Sequence, residues 1–430
     1  MDHFQYRDGV LGAEEVPVPA IAEAVGTPFY LYSTATLERH FKALDDSFAD
    51  LAHLTCFAVK ACSNIAILRL FARLGGGADI VSGGELYRAL AAGIDPGKIV
   101  YSGVGKTRAE IRQAIEAGIL MFNLESEQEL EVVAQCATEL QTTARISFRV
   151  NPDVDPQTHA YISTGLAKNK FGIPIAEAPA VYRRARELAG VEIVGVSCHI
   201  GSQLTKVSPF VDTIDKLKKF LARLAADGIA VKYLDIGGGL GIKYNQEEPP
   251  EPAAYGAAVR QALGELDCTL ILEPGRVIVG NAGIMVTRVL YTKSGPKSSP
   301  ENSHNGQKKF IVVDAGMNDL FRPSLYDAYH AIVPVVQGDG ATQTADVVGP
   351  ICETGDFLAR DQEVPAARPG ELLAVKSAGA YGFTMASNYN SRPRVAEVLV
   401  NGTEFHVIRR RESYEDLIRG EEIPAFLNRS

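Results

Sequence analysis

The chain has 430 residues, more than one ordinary domain holds, so two domains with a sizeable core are expected. Apolar residues make up 46% and charged residues 22%, a soluble globular composition, and the net charge of −9 comes with no basic run able to track a phosphate backbone, which excludes nucleic acid as an expected partner. The opening "MDHFQYRDGV" lacks a basic stretch leading into an apolar one, and no apolar run approaches a membrane span, so a cytoplasmic protein without a membrane anchor is expected.

In chain order, "PFYLYS" (28 to 33) reads as a strand that joins a sheet-rich domain formed later in the chain. Ser33 then stands as the N-cap of a helix that carries Leu37, Phe41, Leu44 and Phe48 at helical spacing. From there apolar, β-rich runs alternate with helical segments. The runs are "TCFAVKA", "GADIVS", "IVYSG", "MFNLES", "ARISFRVNP", "IVGVSCHIGSQ", "VKYLDIGGGLG" and "TLILEPGR". Intervening stretches such as "GGELYRALAAG" and "TRAEIRQAIEAG" end in glycine, as helix C-termini often do. Eight βα units over roughly 240 residues fit a (β/α)8 TIM-like barrel, whose usual size is about 250 residues. A doubly wound open sheet is the alternative. The barrel is favoured because the strands number eight and each ends in polar or glycine residues.

After Arg276 the texture changes to strands without intervening helices, among them "AGIMVTRVLYTK", "KKFIVVDAG", "TADVVGPIC" and "ELLAVKSAGAYG". They lead to "VAEVLVNGTEFHVI", in which Asn401-Gly402 predicts a type I′ hairpin. The expected second domain is an all-β sandwich or barrel. The expected division is residues 33 to 276 for the (β/α)8 barrel, with 1 to 32 and 277 to 430 forming the β domain. The polar stretch 293 to 309, "KSGPKSSPENSHNGQKK", is expected to be a mobile loop between two strands.

Six scattered cysteines include no CxxC pair, and no histidine stands at zinc-ligand spacing, so neither disulfides nor a metal site is expected. Cys56, Cys62, Cys136, Cys198 and Cys268 read as small hydrophobes. Cys352 differs, lying among turn residues and beside acids in "GPICETGD".

In a (β/α)8 barrel the active site lies at the C-terminal strand ends. That places Lys60, Asp79, Ser82, Arg149, His199, glycines 237 to 239 and Glu273 around one mouth. A lysine at a strand end is more often a solvated rim residue; in a partly desolvated mouth its amine becomes a nucleophile toward carbonyls, which is Schiff-base chemistry. "DIGGGLGI" (235 to 242) fails as a dinucleotide fingerprint because Ile242 stands where the last glycine belongs. It is either a plain tight turn or, closing the seventh strand, a backbone cradle for a phosphate. Glu273 in "EPGR" either forms an ion pair with Arg276 or holds a proton on a pyridine nitrogen. His199 is either a satisfied core histidine or an imidazole stacked on an aromatic ring. Lysine, phosphate cradle and pyridine-facing carboxylate are together what pyridoxal 5′-phosphate requires.

At this point the sequence resembles the bacterial diaminopimelate decarboxylase family, pyridoxal-phosphate enzymes of the alanine racemase-like (fold type III) barrel group. The likeness runs nearly end to end through "FAVKA", "GADIVSGGEL", "FRVNP", "KFGI", "CHIGSQ", "DIGGGLGI", "EPGR", "NDLFRPSLY", "GPICETGD" and "GAYG". The resemblance implies that Lys60 bonds covalently to the cofactor, His199 stacks on its ring and Glu273 binds the ring nitrogen. It implies phosphate contacts from Ser202, Gly237, Gly238, Gly239, Gly275 and Arg276, with Tyr381, Asp79 and Arg149 close to the cofactor. For the substrate, Arg276, Arg322 and Tyr326 match residues holding the carboxylate of the non-reacting end, Glu353 the acid that binds the distal amine, and Cys352 the proton donor; Tyr381 is counted with this set. The implied reaction takes meso-diaminopimelate to L-lysine, in a homodimer whose sites draw "CETGD" from the other subunit. Thr354 departs from the serine of many relatives but keeps the hydroxyl. Rival readings are a decarboxylase of the same fold acting on ornithine, arginine or carboxynorspermidine, an amino-acid racemase, and a silent pyridoxal-phosphate-binding homologue.

Overall fold

The computed structural model describes residues 2 to 154, 170 to 295, 308 to 338 and 340 to 428. It divides into two compact units: Leu37–Gly280, and Met1–Thr36 together with Asn281–Ser430.

The first unit is built on eight parallel strands, β1 (His53–Ala58), β2 (Gly77–Ile80), β3 (Ile99–Tyr101), β4 (Met121–Leu124), β5 (Ala144–Asn151), β6 (Val191–Ser197), β7 (Tyr233–Asp235) and β8 (Thr269–Leu272). Each strand pairs in parallel with the next, and β8 returns to β1, so the sheet closes into the expected barrel rather than staying open. Closure leaves none of these eight strands as an edge. Cys56, Val100, Met121, Val194 and Ile271, from five different strands, form one buried apolar cluster.

The helices between strands start where the sequence supplies caps. Asn64, Ser82, Thr107 and Ser126 each accept a backbone N–H of the first turn, and Thr107 forms a reciprocal capping box with Glu110. Gly118 ends its helix in the left-handed conformation at φ 72°. Ser33 caps Thr34–Asp45 through a 3.1 Å bond from Thr36 N–H, as its position predicts. Phe41 of that helix stacks on Phe71 at 5.5 Å, and Phe71 in turn meets Phe57 of β1 at 4.5 Å, which ties helices to the barrel wall.

The second unit is mostly sheet. Phe29–Ser33 pairs antiparallel with Gly283–Ser294 and parallel with Ala396–Asn401. The sheet runs from Phe357–Pro365 through Thr342–Val348 and Lys309–Val313 to these three strands and ends at Glu404–Arg409. The hairpin at Asn401 departs from the expected turn. Asn401 pairs with Glu404, so Gly402 and Thr403 form its tip, and of these Gly402 alone has a positive φ, 61°. A type I′ turn needs two left-handed residues, so it is excluded here. The ends of the polar stretch 293 to 309 belong to the flanking strands, while residues 296 to 307, expected to be mobile, lie outside the described residues. No helix among the described residues is long and apolar enough to cross a membrane.

Candidate active site

The polar ends of the barrel strands carry the candidate residues of the first unit. Lys60 lies just past β1, in a single 3-10 turn (Val59–Ala61) rather than in the strand itself. There its ammonium reaches Asp79 of β2, with Nζ 2.9 Å from Oδ2 and the Asp79 side chain fully buried. Asp79 Oδ1 is buried without a hydrogen-bond partner among the described residues. Ser82 caps the next helix instead of facing this pair, since its hydroxyl accepts from Glu85 N–H at 3.2 Å.

Glu273 follows β8 and is buried with Asp235 of β7, and the two carboxyls are hydrogen-bonded to each other. Burial first, then the charges of Asp235 and Asp79, push the Glu273 carboxyl well above the usual carboxylate range. Burial also raises Asp235, to about 6, against the hydrogen bonds from Glu273, Gly237 N–H and Asn123 that lower it.

The glycine bend at 237 to 239 is dictated by contact. A Cβ on Gly238 would stand 2.2 Å from the Glu273 carbonyl oxygen, and Gly237 and Gly239 take φ of 68° and 111°. Gly238→Ala is therefore expected to destabilise the fold by about 1–3 kcal/mol, read as a lowered urea midpoint; an unchanged midpoint would show that the bend can open. Gly238 N–H donates to His199 Nδ1 at 3.2 Å. That bond leaves the proton on Nε2 and fixes the ring as a neutral imidazole. Burial, then the charges of Arg149 and Lys60, hold its pKa well below the ordinary value.

Arg149 spans Glu125 and the His199 carbonyl oxygen, each at 3.4 Å, with its guanidinium 4.7 Å from the centre of the Phe171 ring. Arg276 is buried, donates to Ser202 Oγ at 3.0 Å and Tyr244 Oη at 2.7 Å, and follows Gly275 at the start of the short helix Arg276–Val279. The barrel thus brings Lys60 together with Asp79, His199 with Gly238 and Arg149, and Ser202 with Arg276. Sequence reasoning passed over Asp235, Asn123 and Tyr244. Asp235 stood at the head of the quoted glycine run, and Asn123 is a polar residue inside the β4 pattern, which was the available signal.

The remaining candidates belong to the sheet-rich unit. Arg322 opens the helix Arg322–Tyr326, buried, with its guanidinium 5.9 Å from the Tyr326 ring and its Nε 3.4 Å from Nε2 of the buried His330. His330 Nδ1 lies 2.9 Å from the Lys376 carbonyl oxygen, which makes Nδ1 the protonated nitrogen and leaves Nε2 to accept from Arg322. Ser324 of the same helix donates to the Gly355 carbonyl at 2.6 Å, joining it to the turn that carries Cys352 and Glu353. Cys352 is exposed, with its N–H held by Asn390 Oδ1 at 2.7 Å, and Tyr389 Oη donates to Glu353 at 3.3 Å. Tyr381 sits at φ 56°, a conformation that costs a bulky residue about 1–3 kcal/mol and concentrates at functional sites.

Residues 34–280 match the family model of the pyridoxal binding domain of pyridoxal-dependent decarboxylases. Barrel and site together define a pyridoxal-phosphate-dependent decarboxylase of the fold type III group. The diaminopimelate decarboxylase of Pseudomonas aeruginosa is 54% identical over 423 residues, covering 98% of this chain and 99% of the relative. The chain belongs to the diaminopimelate decarboxylase family. Among solved structures, the Helicobacter pylori diaminopimelate decarboxylase complexed with L-lysine is 43% identical with a TM-score of 0.87, covering 94% of this chain and 98% of its own. The M. jannaschii diaminopimelate decarboxylase in co-complex with L-lysine is 38% identical with a TM-score of 0.92, and each chain is covered to 99%.

Proposed function

We propose that this chain decarboxylates meso-2,6-diaminopimelate to L-lysine and carbon dioxide, the last step of lysine biosynthesis. One observation carries the reading: the identity with the Pseudomonas aeruginosa diaminopimelate decarboxylase spans 98% of the chain, so the sheet-rich unit is shared as well as the barrel.

The donor set fits the cofactor. Lys60 is an amine at a barrel mouth, steadied by a buried carboxylate. Glu273 is a buried acid able to hold a proton at the ring nitrogen, and the bend at Gly237 to Gly239 cannot carry side chains. Ser202 and the Arg276 guanidinium, 3.0 Å apart, together with Gly275 supply donors for a phosphate. The chemistry that pyridoxal phosphate supplies when bound is an aldehyde for amines and a ring that takes up the electron pair a departing carboxylate leaves behind.

Around that group the chain's residues divide the work. Lys60 is the amine that would hold the cofactor covalently through its aldehyde. His199, neutral and pinned by Gly238, offers a flat face to the ring. Asp79 and Arg149 fix the mouth around it, and Tyr381 adds a further contact. Arg276, Arg322 and Tyr326 hold the distal carboxylate, Glu353 the distal amine, and Cys352 delivers a proton to the α-carbon from which carbon dioxide has left.

A substrate without the distal carboxylate forgoes the charge-assisted bonds those guanidiniums would give it, at a cost of about 2–5 kcal/mol. That corresponds to a preference of roughly thirty-fold to several-thousand-fold. Measured with the holoenzyme, lysine should appear from meso-diaminopimelate, while carbon dioxide release from ornithine, arginine and carboxynorspermidine should be at least about thirty-fold slower. Comparable turnover of ornithine would move the assignment to a rival decarboxylase, and no turnover of any of them to a silent binding protein. We further propose a cytoplasmic homodimer in which the segment bearing Cys352 and Glu353 serves the partner's barrel. The exposure of Cys352 supports this arrangement.

A further inference from the structure

Beneath the Glu273 carboxyl, side chains from five barrel strands or the residues just after them meet in one buried network. The Asn123 amide donates to Asp235 Oδ2 at 2.8 Å, to Ser102 Oγ at 3.1 Å and to Glu273 Oε1 at 3.3 Å. Ser102 Oγ donates to the same Glu273 oxygen at 3.3 Å, Ser147 Oγ to Asn123 Oδ1 at 2.6 Å, and Gly237 N–H to Asp235 Oδ1 at 2.8 Å. Asp235 is fully buried, Glu273 is 7% exposed, and their carboxyls share a hydrogen bond. Two carboxylates this close and this dry cannot both be ionised cheaply, so the pair retains one proton between them.

We propose that Asp235 and Glu273 form a one-proton acid pair, and that the proton slides along their hydrogen bond from Glu273 to Asp235 when a protonated pyridine nitrogen docks against Glu273. This rests on the reading of Glu273 as the partner of that nitrogen. In the cofactor-free protein the proton sits on Glu273, whose donors Ser102 and Asn123 stand off at 3.3 Å, while Asp235 accepts it and holds two shorter N–H bonds, both 2.8 Å, that suit the charged partner. The ring nitrogen brings its own proton, so Glu273 must present a full negative charge. It does so by passing its proton to Asp235, with no bond other than that O–H broken and no proton lost to solvent.

The network is laid out for both states. Ser102 and Asn123 already aim donors at Glu273 Oε1, ready for the charge that arrives there. Besides the bond from Glu273, Asp235 accepts one on each oxygen, from the Asn123 amide and from Gly237 N–H, and a carboxyl oxygen has room for a second partner, so the incoming proton displaces nothing. The surrounding thiols do not supply an alternative sink. Burial pushes the Cys56 and Cys198 thiols up, so they stay protonated, and Asp79, which pairs with Lys60 before loading, is told apart from Asp235 by the Asp235→Asn variant below. Asp235 is thus a positioning residue that acts through Glu273.

The test is difference infrared spectroscopy of the protein before and after loading with pyridoxal phosphate at neutral pH, in samples labelled with 13C at the side-chain carboxyls of either aspartate or glutamate. Loading should remove a protonated-carboxyl band that shifts with the glutamate label and create one that shifts with the aspartate label. The new band should be missing from Asp235→Asn, which mimics the protonated acid and should bind pyridoxal phosphate within about threefold of the unmodified protein. Other buried acids cancel in the difference. A band that stays with the glutamate label, no protonated band at all, or a tenfold or greater loss of cofactor affinity in a folded Asp235→Asn protein would overturn the proposal. Should that variant fail to fold, the two labelled samples of the unmodified protein decide alone. Failure of the unmodified protein to take up pyridoxal phosphate would instead sink the reading of Glu273.

Discussion

Lys60→Ala is expected to abolish turnover, by about 10⁴-fold or more, because a tethered amine acts at an effective concentration of roughly 10⁵ M or higher, which no amine from solution matches. The substitution also strands the buried Asp79 carboxylate, whose Oδ2 lies 2.9 Å from the Lys60 ammonium. Lys60 is itself 38% exposed, so the stability lost is reduced to about 1–3 kcal/mol. Lys60→Arg separates the two effects, since it keeps the cation beside Asp79 but offers no primary amine. Both variants should be inactive, with the arginine protein unfolding closer to the unmodified midpoint. Added methylamine should restore a small fraction of turnover to the alanine protein alone. Borohydride reduction of the unmodified holoenzyme followed by peptide mapping should recover the cofactor on the peptide containing Lys60. A coloured, active Lys60→Ala protein, or a reduced cofactor mapped to another lysine, would remove Lys60 from its role.

The barrel was legible because each of its units repeats a local pattern: an apolar run, a polar or glycine end, then a helix whose cap and stop residues are adjacent in sequence. Ser33 and Gly118 do in the structure what their positions foretell. Lys60 and Glu273 were legible for a related reason, since each breaks an apolar run at the strand end where barrels place their chemistry. The acid network was not, because its contacts leave no local trace. Asn123 meets Asp235 and Glu273 across 112 and 150 residues of sequence. Arg276 and Tyr244 likewise meet across 32 residues of sequence. The hairpin at Asn401 shows the converse failure. The Asn-Gly dipeptide correctly marked a turn, but register set by cross-strand pairing put Gly402 first at the tip and left Asn401 in the strand.

Cys352→Ala should cost about 10²–10⁴-fold in turnover, the usual weight of a positioned proton donor, while cofactor content stays unchanged. The backbone around it has its own supports. Cys352 N–H is held by Asn390, Ile351 N–H by Asp356 at 2.6 Å, and Gly355 carbonyl by Ser324, none of which needs the thiol. The loss should therefore appear in kcat, with KM for meso-diaminopimelate little altered, and Cys352→Ser should fall between alanine and the unmodified protein because a hydroxyl still carries a proton. Lysine formation at the full rate from Cys352→Ala would dismiss the thiol as donor. The same variant tests the proposed sharing of sites between protomers. When Lys60→Ala and Cys352→Ala proteins are mixed and allowed to re-associate, random pairing makes about half of the dimers hybrids. If the Cys352 segment serves the partner's barrel, each hybrid assembles one site that has both Lys60 and Cys352, and about a quarter of the unmodified activity returns. If each chain serves its own barrel, every site lacks one of the two groups, and mixing restores nothing.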